Sequence, residues 1–259
     1  MRTQSTTGMT AEHYAILAER IENEFMWRRR RGRPRRLSLE GALRVTLLYY
    51  RQNVTEQLIA DVVGVSQSTV SRTIASVEAM LNVVIDDEQP DVEAALRGTT
   101  AVIDGTLLPC WSWSDAPELY SGKHMTTGHN CQVLADLSGR LIHISDPIAG
   151  KHHDAHAFRE TGLADTVNLS NTLADKGYQG TGMVIPIKKR PSEEHLPNYA
   201  KHHNRFVNTH RYVIERTIAS IKTWRIFHTD YRRPLRTFRD AFNAVHGLIF
   251  FTRQKTNFA

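Results

Sequence analysis

Thr209 to Arg225, THRYVIERTIASIKTWR, runs without a glycine or a proline, and Ile214, Ile218 and Ile221 recur on one helical face. Beside that apolar face lies a polar stripe. Advancing about 100° per residue places Arg211, Glu215 and Lys222 within an arc of roughly 40°. A carboxylate held between two cations at the border of a buried face suits a metal ligand. It also suits a solvated stripe of helix-spaced ion pairs worth roughly 0.2–0.5 kcal/mol each. The stripe alone favours the solvated reading, so the residues upstream must decide.

The 259 residues suffice for two domains, and 41% hydrophobic with 23% charged residues is the composition of a globular chain. A net charge of +6 points to a polyanionic partner. Two cysteines, Cys110 and Cys131, specify neither a disulfide framework nor a cysteine-rich zinc site. No apolar run approaches a membrane span and no signal-type segment opens the chain, so a cytoplasmic protein without a membrane partner is expected.

Residues 1–36 read as an N-terminal helix and a basic arm. Met1 to Gly8 looks like a frayed tail, and Thr10 caps a helix carrying Tyr14, Leu17, Ala18, Ile21 and Phe25. Seven of the ten residues from Trp27 to Arg36 are arginine: Arg28, Arg29, Arg30, Arg31, Arg33, Arg35 and Arg36. Gly32 and Pro34 exclude a helix there, and such arms neutralise phosphates or enter a minor groove. Residues 37–85 then read as three helices. Leu39, Leu43, Leu47 and Tyr50 mark the first, Thr55 caps a second that Gly64 closes, and Ser66 caps a third carrying Val70, Ile74, Val77 and Leu81. The tight Gly-Val-Ser connection makes the last two a helix-turn-helix unit. Gln67, Ser68, Ser71 and Arg72 face outward, the residue types that reach base edges and phosphates. Arm, turn and polar face together favour DNA binding over a plain three-helix bundle.

Residues 86–98 are acidic, contain Pro90 and read as a linker with one helical turn. Residues 99–259 form the second domain. Ala101 to Ile103 reads as a strand buried on both faces and ended by Asp104, although Asp-Gly is also a hairpin signal. Trp111 and Trp113 share a side and are expected in the core rather than stacked on bases. Two strands follow around a turn at residues 137–140, then a His cluster opening a helix, then a strand ending at Asp175. The last helix, TFRDAFNAVHGLIFF, is strongly apolar and is expected to cover the sheet.

Asp104 and Asp175, at the ends of neighbouring strands, and Glu215, from a helix across that edge, can converge. Carboxylates without Cys or His ligands suit hard cations, Mg²⁺ or Mn²⁺, and a pair of such ions assists phosphodiester chemistry. His152, His153, Asp154 and His156 are less suited to a zinc site, because neighbours in one segment rarely aim at one ion. An accessory role there is favoured, with Asp154 the reserve metal ligand.

AVIDGT, LADKGYQG and RYVIERTIASIKTWR resemble, in order and spacing, the catalytic motifs of DDE transposases, especially bacterial insertion-sequence enzymes related to the Harbinger group. The resemblance implies an RNase H-like mixed α/β sheet flanked by helices, preceded by an all-α helix-turn-helix domain. It implies two Mg²⁺ or Mn²⁺ ions on Asp104, Asp175 and Glu215. It also implies a homo-oligomer on double-stranded DNA, the element's terminal repeats and its target. The signature Tyr-x2-Arg-x3-Glu-x6-Lys is met by Arg211, Glu215 and Lys222, with Asn208 in place of the tyrosine; the family's His-Asp pair is met by His153 and Asp154. Catalytic roles are therefore expected for Arg211 and Lys222 toward phosphates or Glu215. A DNA-binding regulator and a nuclease without strand transfer remain the alternatives.

Overall fold

The computed structural model describes residues 3–27, 34–86, 88–111, 115–191 and 193–253. Arg28, Arg29, Arg30, Arg31, Arg33 and Trp113 lie outside the described residues. In chain order the structure has α1 (Thr3–Thr7), α2 (Ala11–Glu24), α3 (Leu39–Gln52), α4 (Glu56–Val63), α5 (Gln67–Val84) and α6 (Val92–Leu96). There follow β1 (Ala101–Pro109), β2 (Tyr120–Ser121), β3 (Thr126–Asp136), β4 (Leu141–Ile144), β5 (Ile148–Ala149), α7 (Asp154–Glu160), β6 (Thr172–Leu173), α8 (Asn198–Ile221) and α9 (Phe238–Phe251). These elements gather into two compact units, Met1–Gln89 with Lys222–Ala259, and Pro90–Ile221. No helix among the described residues is long and apolar enough to cross a membrane.

In the first unit the caps act where the sequence places them. The hydroxyls of Thr10, Ser38, Thr55 and Ser66 accept from backbone amides at the starts of α2, α3, α4 and α5. Each satisfies a donor that the first helical turn leaves without a partner. Gly64 adopts the left-handed conformation, φ 69°, between α4 and α5, which any β-carbon would disfavour. The expected frayed tail is instead the short helix α1, held on α3 by Gln52 Nε2 donating to the Ser5 carbonyl at 2.7 Å. Val70, Ile74, Val77 and Leu81 of α5 are completely buried.

The last helix departs from the expectation that it covers the sheet: α9 packs on α5. A β-carbon on Gly247 would stand 2.6 Å from the Ile85 carbonyl oxygen, so the glycine is what lets the two backbones approach. The segment before α9 is anchored to the same unit. Arg233 pairs with the buried Glu78 at 2.7 Å, and Tyr50 donates its hydroxyl to the same carboxylate at 2.6 Å. An apolar helix declares that it needs a core but not which one, so this placement is set by tertiary contacts.

The second unit is built on a mixed sheet. β1 lies antiparallel to β3, in register from Ala101 opposite Asp136 to Pro109 opposite Gly128. β4 extends the antiparallel side, and β6 adds to the other edge of β1 in parallel. Beyond β6, Leu173 bridges Val184 in parallel. This is an RNase H-like arrangement, and α7 and α8 flank it. Ala101 and Ile103 turn to a core shared with Phe158 of α7 and Tyr178. Side chains alternate along a strand, so Asp104 turns to the opposite face, where α8 lies.

Three expectations are corrected here. Asp104 does not end its strand: pairing with β3 continues through Asp104 and Gly105 to Pro109, so the Asp-Gly pair makes no hairpin turn. Trp111 is 56% exposed rather than part of the core. The helix expected from Thr209 to Arg225 spans Asn198–Ile221, starting directly after Pro197 and ending earlier.

Candidate active site

Asp104 stands within β1, and the parallel register of β1 with β6 (Ala101 opposite Thr172, Val102 opposite Leu173) carries Asp175 toward its level. Asp175 follows β6, and its carboxylate accepts the Gly177 amide at 2.6 Å. Asp154 enters as the first residue of α7 and is buried. Two glycines make its room. A β-carbon on Gly105 would lie 2.2 Å from Asp154 Oδ1, and one on Gly177 would lie 3.0 Å from Oδ2. Gly105 and Gly177 therefore form a cradle for a third carboxylate, Gly177 from within the tight turn that follows Asp175.

Three like charges in one place raise the cost of ionisation. Burial pushes Asp104 up to about 6, and the neighbouring Asp175 and Asp154 push the same way against the opposing Arg211. Arg211 of α8 meets Asp104 Oδ2 at 3.2 Å, both side chains being largely buried. From the other side, Lys123 donates to Asp154 Oδ2 at 2.7 Å; that carboxylate outweighs burial and raises the lysine. A cradle of aspartates that is short of positive charge and offers only oxygen donors fits a hard divalent cation.

Behind the aspartates runs a buried hydrogen-bond chain. Tyr178 donates to Gln132 Oε1, Gln132 Nε2 to Asn130 Oδ1 at 3.2 Å, and Asn130 Nδ2 to the His152 carbonyl at 3.1 Å. It fixes the segment that delivers Asp154, and burial raises the Tyr178 hydroxyl well above its usual range, keeping it a donor. Sequence reasoning missed Lys123, Asn130 and Gln132. For Asn130 and Gln132 the available signal was two amide side chains at alternate positions beside the apolar run from Val133 to Ala135; Lys123, ahead of the strand, carried none.

The other expected site residues are placed differently. Glu215 lies one turn beyond Arg211 on the same flank of α8 and is exposed; among the described residues no hydrogen bond or ion pair ties it to the aspartates. Arg211 pairs with Asp104 rather than with Glu215. Lys222 follows the end of α8, falls in the other compact unit, and has its pKa lowered by burial. In the His cluster, His156 meets Glu160 at 2.9 Å and His152 lies 3.9 Å from that carboxylate, the three donor atoms being within 4.8 Å of one another. The two rings stack at 4.1 Å with 13° between planes, so their in-plane lone pairs run side by side and do not converge on one ion. His153 and Asp154 stand outside this group.

In the first unit, Gln67, Ser68 and Arg72 are exposed and Ser71 is half-buried on α5. Gln67 donates to Glu56, and Arg72 to Ser68 at 3.3 Å. Arg35 lies over the Trp27 ring at 3.8 Å. A cleft of about 950 Å³ lined by Trp27, Arg35, Arg36, Ser66, Thr69 and Arg72 brings the end of the arm to the start of α5.

Residues 103–250, from within β1 to α9, match the family described as DDE superfamily endonuclease. The chain belongs to this family. Residues 35–85 match the helix-turn-helix of DDE superfamily endonucleases, so the chain carries both modules of this group. It is 32% identical over 221 residues to a putative transposase for insertion sequence element IS112 of Streptomyces albus G, covering 85% of this chain and 83% of that protein. It is 25% identical over 255 residues to a probable transposase for insertion sequence element IS702 of Microchaete diplosiphon, covering 93% and 91% respectively. No solved structure matches. The DDE endonucleases imply use of a divalent metal, which the donor set of this member fits.

Proposed function

We propose that this chain is an insertion-sequence transposase that binds the ends of its element, cleaves phosphodiesters and joins 3′-hydroxyls to target DNA. The observation that carries the reading is the meeting of Asp104, Asp154 and Asp175, from three separate elements, in a DDE endonuclease whose relatives are named as transposases. Asp104, Asp175 and Glu215 hold two divalent ions, Mg²⁺ or Mn²⁺, with Asp154 as the reserve ligand. Divalent cations held there lower the pKa of an attacking water or 3′-hydroxyl and offset charge on the leaving oxygen.

The chain's own residues supply the rest. Arg211 keeps Asp104 ionised and aimed, which a lone buried carboxylate at neutral pH would not be. The Tyr178–Gln132–Asn130 chain holds Asp154 at a fixed depth. Glu215 stands one turn along α8 from Arg211, which itself reaches Asp104, and its exposed carboxylate completes the ligand set from that helix. Lys222 adds positive charge toward DNA phosphate. Gln67, Ser68, Ser71 and Arg72 read base edges, while Arg28, Arg29, Arg30, Arg31, Arg33, Arg35 and Arg36 neutralise phosphates as a homo-oligomer assembles on double-stranded DNA.

The test is a joining assay. The protein is incubated in Mg²⁺ with a circular target and the DNA flanking its gene, supplied both intact and pre-cleaved at the element end. Joined product is expected. Cleavage of intact ends without any joining would make the chain a nuclease, and specific binding with neither activity would make it a regulator.

A further inference from the structure

Asp154 is wedged between Gly105 and Gly177, and the charge that meets it there is Lys123. The lysine comes from the segment between β2 and β3, so it reaches the cluster independently of the elements that carry the carboxylates. Its side chain is 46% exposed while that of Asp154 is 6% exposed. The ammonium therefore closes the cluster from the solvent side, on a stem free to move. We propose that Lys123 is the resident counter-ion of the aspartate cluster, occupying Asp154 until a divalent cation takes that oxygen, and then turning to the phosphate of the DNA strand being cleaved. The proposal rests on the reading of the cluster as a metal site acting on DNA, with the reserve ligand Asp154 called on.

Charge and geometry argue for a placeholder rather than a fixed strut. Three aspartates face two cations, Arg211 and Lys123, leaving one negative charge over. Divalent ions reverse that balance, and one resident cation must then find another anion. Arg211 is a planar fork with a largely buried side chain on Asp104; Lys123 is a point charge with three rotatable donors and a flexible stem. Nζ stands 2.7 Å from Asp154 Oδ2, so a divalent ion on that oxygen would lie beside the ammonium and repel it. The incoming substrate brings the anion: a phosphodiester at the mouth of the site, where the ammonium already lies.

The test compares full-length wild type with Lys123→Met, which keeps the stem, and Lys123→Arg, which keeps the charge. Mn²⁺ binding without DNA is followed by the electron paramagnetic resonance of free Mn²⁺. Loss of the competing ammonium is expected to tighten Mn²⁺ binding by about two- to fivefold in Lys123→Met, the scale of a part-exposed ion pair. Single-turnover cleavage at saturating Mn²⁺ is expected to fall at least about tenfold, with partial recovery in Lys123→Arg. Unchanged or weaker Mn²⁺ binding in Lys123→Met would overturn the placeholder, and wild-type cleavage would overturn the phosphate contact. Should Lys123→Met not fold, the comparison of Lys123→Arg with wild type carries the test: the longer fork, able to hold both carboxylate oxygens, must weaken Mn²⁺ binding, and equal affinity overturns the proposal. Wild-type protein that binds no Mn²⁺ would instead overturn the metal reading, and the proposal with it.

Discussion

Two aspartates of the same sheet carry opposite consequences for stability. Asp136 ends β3, where burial alone would raise it, but hydrogen bonds from Ser138 and Arg140 outweigh that and hold it below the usual carboxylate range. A carboxylate depressed in the folded state stabilises the protein above its unfolded pKa, near 3.9, and loses that contribution as pH falls through the folded value. The gap in melting temperature between wild type and Asp136→Asn is therefore expected to be widest at neutral pH and to close below about pH 4. Asp104 has the reverse sign. With its carboxyl raised to about 6, ionisation costs the metal-free fold stability that is progressively lost between about pH 4 and 6. In chelator, Asp104→Asn is expected to stabilise the protein by about 1–3 kcal/mol at pH 8 and by nothing at pH 4, as read by urea unfolding. Gly105 gives a third handle. Its alanine variant must displace the Asp154 carboxylate, costing about 1–3 kcal/mol and abolishing cleavage; an unaltered Tm and rate would show that the cradle is not needed.

At the scale of elements, α5 and the arm are expected to fail in different ways. Arg72 is exposed near the start of α5 and aligned by Ser68, so Arg72→Ala is expected to weaken binding to the element's end by about 1–3 kcal/mol and to leave random DNA nearly unaffected. Deleting residues 28–36 is expected to weaken binding to every duplex and to flatten its salt dependence. Titrations of specific and random duplexes at several salt concentrations separate the two, and an arm deletion that behaves as wild type would remove the arm from the interface. The legibility of these helices follows from the same locality. Thr55, Gly64 and Ser66 declare the boundaries of α4 and α5 because caps and left-handed glycines act within a single turn. The early start of α8 was not legible for the opposite reason. Its first turns are polar, and they are tied down by Asn204, whose side chain accepts from the Ile187 amide at 2.7 Å and donates to the Ile187 carbonyl at 3.0 Å. Likewise the Asp-Gly pair in β1 resembles a turn until Asp154, fifty positions later, is seen to need the missing β-carbon.

At the scale of the molecule, the first compact unit is assembled from both ends of the chain. Residues 222–253 supply α9 to α5, Arg233 to Glu78, and a Thr229 hydroxyl that accepts from Asn53 at 2.7 Å. A fragment ending at residue 89 is expected to lack cooperative unfolding, and Arg233→Met to cost about 3–5 kcal/mol by stranding a buried carboxylate. Cooperative melting of the fragment alone would contradict that dependence. The central claim is that the aspartates gathered around β1, with Glu215 of α8, cut DNA with the help of divalent ions. Its most direct test is single-turnover Mg²⁺-dependent cleavage of the element's end by Asp104→Asn, Asp175→Asn, Glu215→Gln and Asp154→Asn, with binding to the same duplex measured alongside. Asp104→Asn, Asp175→Asn and Glu215→Gln are expected to bind as wild type and not to cleave; cleavage kept by Asp175→Asn and lost by Asp154→Asn would move the second ligand to Asp154, and wild-type cleavage by Asp104→Asn would contradict the claim outright.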